Sequence, residues 1–97
     1  MAAYVLAEIE IRNPEGYKEY TQTVPATIAQ YGGRFLVRGG GVEVLEGEWP
    51  QRRRVIIEFD SMQAAKKWWD SPEYAKPKAM RRANSDGRLL LLDGVPA

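Results

Sequence analysis

The sequence predicts an α+β sandwich, in which one antiparallel sheet carries helices on a single face. Two observations carry that prediction. Segments of period-two alternation and segments of helical spacing succeed one another in the order β-α-β-β-α-β along 97 residues. Each helical segment is also announced by a capping residue, Asn13, Ser61 or Ser71, and two of these are followed directly by proline.

The first strand runs from Ala3 to Arg12. Val5, Ala7, Ile9 and Ile11 fall on one face, and Tyr4, Leu6, Glu8 and Glu10 on the other, which is the pattern of a half-polar strand. "NPEGY" then opens a helix with Asn13 as N-cap, Pro14 at its first position and Glu15 in its first turn. Tyr17, Tyr20, Val24, Ile28 and Tyr31 recur at helical spacing and form the buried stripe. Pro25 lies inside this helix, removes a hydrogen bond to Thr21 and should kink it. Gly32 and Gly33 stop it.

"RFLVR" (34–38) is the second strand, and "VEVLEG" (42–47) is expected to extend it or to hairpin beside it. "RRRVIIEF" (52–59) is the next strand, with Val55, Ile57 and Phe59 opposite Arg54, Ile56 and Glu58. Ser61 caps "MQAAKKWWD", and Ser71 with Pro72 caps "EYAKPKAMRR", which Pro77 should break or bend. "RLLLLDG" (88–94) is the last strand. No repeat and no linker divides the chain, so residues 1–97 read as a single domain.

The order β-α-β-β-α-β, with an arm after the second strand, specifies a ferredoxin-like sandwich with the first and third strands at its centre. The faces carrying Val5, Ala7, Ile9, Val55, Ile57 and Phe59 should meet the helices. The opposite face then presents Tyr4, Leu6, Glu8, Leu36, Arg38, Ile56 and Glu58. Leu89 to Leu92 are consecutive, and a continuous apolar run marks a strand buried on both faces. Burying a leucine stabilises by about 1.5–3 kcal/mol, so a second copy of the sheet is the expected cover, giving an isologous homodimer.

Composition excludes several function classes. The formal net charge is +1, which does not single out nucleic acid or a membrane surface as a partner. Cysteine and histidine are both absent, which removes thiolate chemistry, the commonest general base and the commonest transition-metal ligand. The expectations are a cytoplasmic protein with no metal and no cofactor. The N-terminus alternates and carries acids, so it reads as a strand and not as a signal peptide.

"YGGRFLVRGG" (31–40), "VEVLEGEWP" (42–50) and "WWDSPEY" (68–74), in that order, resemble the domain of unknown function 1330 family, over about residues 3–94. The resemblance implies the dimeric α/β-barrel superfamily, in which two ferredoxin-like sheets close on each other. That superfamily holds cofactor-free monooxygenases, muconolactone-isomerase-like proteins and chlorite-dismutase-like haem proteins. The family itself has no established reaction, and fold membership does not supply one.

The candidate sites separate by chemistry. "RGGGVEVLEG" (38–47) lacks Gly-Lys-Ser/Thr and leads into strand-like sequence and not a helix N-terminus, so it reads as a bend in the sheet and not a phosphate loop. "RRR" (52–54) lacks the stacking aromatics of an RNA-reading sheet and faces acids. The aromatics remain. Tyr17, Tyr20, Trp68 and Tyr74 are expected to line a pocket between helices and sheet, with Arg38 fixing an anionic or carbonyl group. Tyr20 would donate to a developing oxyanion, and Glu8 or Glu58 would act as base if burial raised its pKa. The function expected is a cofactor-independent enzyme or binder of a small organic acid or carbonyl compound. The alternative is a non-catalytic structural or regulatory dimer whose interior is filled by side chains.

Overall fold

The computed structural model describes residues 1–96. Its elements are β1 (Ala3–Ile11), α1 (Pro14–Gln30), β2 (Arg34–Arg38), β3 (Arg53–Phe59), α2 (Met62–Trp69), α3 (Pro72–Asn84) and β4 (Ser85–Asp93). The sheet is antiparallel in the order β2-β3-β1-β4, which places β1 and β3 at the centre as expected. This is the ferredoxin-like α+β fold.

The core is the layer between the sheet and the helices. Val5, Ala7 and Ile9 of β1 and Val55, Ile57 and Phe59 of β3 are buried on one sheet face. Against them pack Tyr17, Tyr20, Val24 and Ile28 of α1, Ala65 and Trp68 of α2, and Tyr74 of α3. Each fully buried side chain of this size, Phe59 or Ile28 for example, stabilises by about 1.5–3 kcal/mol relative to exposure. The helix spacing therefore selects the face, and the burial holds it.

The local signals behave individually. The hydroxyls of Ser61 and Ser71 accept from the backbone N–H groups of Ala64 and Tyr74, as N-caps should. Asn13 occupies the N-cap position, but its side chain makes no cap bond and donates to Asn84 Oδ1 at 3.0 Å instead, tying the start of α1 to the end of α3. Gly32 (φ +78°) and Gly33 end α1, and a Cβ on Gly33 would lie 2.6 Å from the Phe59 ring. Tyr31 therefore lies beyond the helix as its C-cap, and its hydroxyl donates to the Glu73 carboxylate.

Several expectations are corrected. Pro77 does not break α3, which continues to Asn84; Pro77 is itself buried, and that packing offsets the one hydrogen bond it removes. β4 starts at Ser85, pairing back to Ile11, and not at Arg88. Ile11 is exposed at the end of β1. β3 begins at Arg53.

Residues 42–47 form no strand. β2 is an edge strand that ends where Gly39 turns at φ +68°, and the segment beyond it has no strand to pair with. Instead the arm folds over Arg54, which donates to the carbonyls of Arg52 and Pro50 and lies under the Trp49 ring. Val42, Val44, Leu45 and Trp49 remain exposed.

β2 also carries a bulge. Phe35 pairs with Ile57, yet Val37 pairs with Ile56 and Arg38 with Val55. The extra residue at Leu36 shifts the alternation by one, and a one-residue shift reverses the faces of everything after it. Arg38 is thereby moved from the open face, where alternation put it, to the helix face.

Candidate functional site

The helix-side face of the sheet and the stripe of α1 enclose a cavity of ≈ 30 Å³. Tyr17, Tyr20, Arg38, Trp68 and Tyr74, the residues expected to form a pocket, all line it. The geometry follows from the elements. Tyr17 and Tyr20 lie one turn apart on α1 with ring centroids 5.4 Å apart. Trp68, at the end of α2, stacks on Tyr74 at 4.1 Å and donates its indole N–H to Thr27 Oγ1 at 3.0 Å. The Tyr20 and Tyr74 hydroxyls lie 3.1 Å apart and share a hydrogen bond across the α1–α3 contact.

Arg53 and Arg81 also line the cavity, and neither was among the expected residues. Both were detectable. Arg53 continues the alternation of Val55, Ile57 and Phe59 onto the helix face. Arg81 follows Tyr74 and Pro77 at spacings of three and four residues, on the buried stripe of α3. Arg53 lies over the Tyr17 ring at 5.8 Å. Arg81 is 4% exposed, and its Nε reaches the Tyr74 hydroxyl at 3.5 Å.

Among the described residues no Asp or Glu lines the cavity. Burial, and after it the adjacent Tyr74 hydroxyl, push the Tyr20 phenol far above its ordinary range. Burial also raises Tyr17, partly countered by the Arg53 charge. Both phenols are therefore protonated at neutral pH. Most of the wall is apolar, and its charged and hydroxyl-bearing side chains, arginines and tyrosines, are of the kind that hold an anion or polarise a carbonyl.

Glu8 and Glu58, the expected bases, are not brought to Tyr20. They lie on the opposite face of the sheet. Glu8 is held by Arg54 at 3.2 Å and Arg88 at 3.1 Å, and Glu58 is paired with Arg34. Arg38, moved by the bulge, donates from Nη2 to the Thr21 carbonyl at 2.7 Å and stacks over Phe35 at 4.5 Å.

A larger groove of ≈ 680 Å³ opens beside this cavity, between α2–α3 and β4. Trp68, Arg81 and Leu89 line both spaces and form the wall between them. Among the described residues, no group of three His, Cys, Asp or Glu side chains is arranged to hold a metal ion, and no helix is long and apolar enough to cross a membrane.

The model of a family described as a domain of unknown function (DUF1330) matches residues 2–95. No curated protein matches the chain. Among solved structures, a protein of unknown function from Rhodopseudomonas palustris is similar at TM-score 0.78 and 22% identity, over 99% of this chain and 84% of that one. A dimeric ferredoxin-like protein of unknown function from Jannaschia sp. CCS1 is similar at TM-score 0.72 and 12% identity, over 97% and 100% of the two chains. SnoaB, a cofactor-independent oxygenase from Streptomyces nogalater, is similar at TM-score 0.67 and 13% identity, over 99% and 95%. At these identities the likeness is one of fold.

Proposed function

The chain belongs to the domain of unknown function 1330 family, and from that premise we propose that it is a homodimer that binds a small organic acid or carbonyl compound at the tyrosine-lined cavity, without a cofactor. The observation that carries this reading is the polar part of an otherwise apolar cavity wall: Tyr17, Tyr20 and Tyr74 with Arg38, Arg53 and Arg81, and no acid among the described residues. Such a wall stabilises negative charge on a bound oxygen. If the protein is an enzyme, its side chains act by polarising a carbonyl or holding an enolate, because Tyr17 and Tyr20 stay protonated and the glutamates lie on the far face. The fold likeness to a cofactor-independent oxygenase is compatible with that chemistry.

The dimer is supported by the open face. Leu90 and Leu92 of β4 and Leu36 and Val37 of β2 are left exposed there, and the similar Jannaschia protein is described as dimeric.

The cavity's size supports a second reading. At ≈ 30 Å³ it is close to filled, as the interior of a non-catalytic dimer would be. Thermal-shift screening of small carboxylates separates the two. Saturable stabilisation of the wild type, reduced in Arg38→Ala and Tyr20→Phe, is expected of a binder. Undiminished binding in both variants would remove this cavity from the reading, and no stabilisation by any carboxylate would leave the non-catalytic dimer.

A further inference from the structure

We propose that the groove between α2–α3 and β4 is a carboxylate site anchored by Arg81, and that its ligand is a small, flat, apolar monocarboxylate. This rests on the reading that the protein binds a small organic acid; it seats that acid in the groove on the other side of Arg81 from the inner cavity, and adds the anchoring residue and the ligand class.

Arg81 is the reason. It is 4% exposed, and among the described residues no carboxylate oxygen lies within 4.0 Å of its guanidinium. Arginine cannot escape burial by losing its proton. A buried cation without a counter-charge is costly, and an apolar side chain of the same length would suit such a place better. The Tyr74 hydroxyl at 3.5 Å is a weak partner for a group with several donors. The residue is explained if a ligand supplies the missing charge.

Arg81 also lines the groove. Its Nη1 lies 3.2 Å from the point where a Cβ on Gly87 would be, so a side chain at that position would press on the guanidinium. Gly87 lines the groove too. Nε is directed at the Tyr74 hydroxyl of the inner cavity, and Nη1 lies on the Gly87 side.

The groove defines the rest of the ligand. Its ≈ 680 Å³ falls in the range, about 300–1,000 Å³, of pockets that hold small organic molecules. Trp68 and Trp69 line it from α2, and Leu89 and Leu91 line it from β4, so a flat apolar body fits between them. Lys66 and Arg82 add positive charge. The acid in the lining, Asp86, is paired with Arg12 at 3.1 Å. A fork of parallel N–H donors recognises a carboxylate over its amide isostere.

The test is calorimetric titration of the full chain with 2-naphthoate and with 2-naphthamide. Naphthoate is expected to saturate, and the amide to bind at least about tenfold more weakly. Arg81→Met should weaken naphthoate by at least about tenfold while raising the melting temperature of the ligand-free protein, which a purely structural arginine would not do. In the wild type, which does not depend on any variant folding, naphthoate should shift the indole N–H resonances of Trp68 and Trp69 and leave that of Trp49 in place. Undiminished binding in Arg81→Met, or shifts confined to Trp49, overturns the proposal. If Arg38→Ala and Tyr20→Phe then weaken binding, the small-acid reading stands without it. Binding lost in Arg81→Met but untouched in those two variants keeps the groove and removes the inner cavity. No binding of any carboxylate to the wild type overturns both.

Discussion

Arg38 donates a 2.7 Å hydrogen bond to the carbonyl of Thr21, the carbonyl that Pro25, four residues on, leaves without its helical donor. A defect in α1 is thus repaired from β2, and the bulge at Leu36 makes the repair possible by turning Arg38 to the helix face. Arg38→Met should lower stability by about 0.5–1.5 kcal/mol. In a Pro25→Ala background the carbonyl regains a backbone partner, and the same substitution should cost measurably less. Urea unfolding of the four proteins in this cycle checks it; equal costs in both backgrounds would show that the bond does not serve this purpose.

The buried phenols predict a loss of stability in alkali. Burial holds the Tyr20 proton more tightly in the folded chain than in the unfolded one, where its pKa is about 10. A raised pKa contributes stability that is fully present below the unfolded value and is lost as pH rises above it. Above pH of about 10 the slope approaches 1.4 kcal/mol per pH unit for each such group. Tyr17 acts in the same direction. Tyr20→Phe removes one of these contributions, so its unfolding free energy should fall less between pH 8 and pH 11 than that of the wild type. Denaturant melts at the two pH values decide the matter, and parallel losses would sink the assignment.

Thr27 is buried on α1 because its hydroxyl serves two groups. It donates to the Val24 carbonyl at 2.8 Å and accepts the Trp68 indole N–H at 3.0 Å. Thr27→Val preserves shape but strands that N–H in the core, which costs about 1–3 kcal/mol. A double-mutant cycle with Trp68→Phe should recover most of the loss, since the second change removes the stranded donor. Additive costs in the cycle would mean that the two residues are not coupled.

What could be read from the chain divides along physical lines. The caps at Ser61 and Ser71 and the α1 stripe are legible because a helix specifies its own contacts within a turn or two. The alternation of β1 and β3 already sends Glu8 and Glu58 to the face opposite Tyr20, so their separation from the cavity follows from the same periodicity that located the core. Arg38 is different. Its face depends on a bulge whose position is decided by pairing with β3, and no local pattern in "RFLVR" marks it. The arm at 42–47 alternates like a strand, yet alternation without a neighbour to pair with does not make one. Arg81 is visible in the helical spacing of α3, but a charge at a buried position contradicts the usual expectation and so is easily passed over.

The open face of the sheet makes the last prediction. Val37, Ile56, Leu6 and Leu90 are successive cross-strand partners, so an apolar row crosses β2, β3, β1 and β4 in turn. Beside it run charged rows: Glu58 paired with Arg34, and Glu8 held between Arg54 and Arg88. An apolar centre with a polar rim is the anatomy of an interface. Leu90 is 59% exposed in the single chain, so Leu90→Glu should leave the folded subunit intact while placing like charges together across a two-fold contact. Light scattering on eluting protein should give the mass of two chains for the wild type and of one for the variant, with unchanged far-ultraviolet circular dichroism. A wild type that elutes as one chain at micromolar concentration would remove the dimer, and a dimeric Leu90→Glu would move its contact elsewhere.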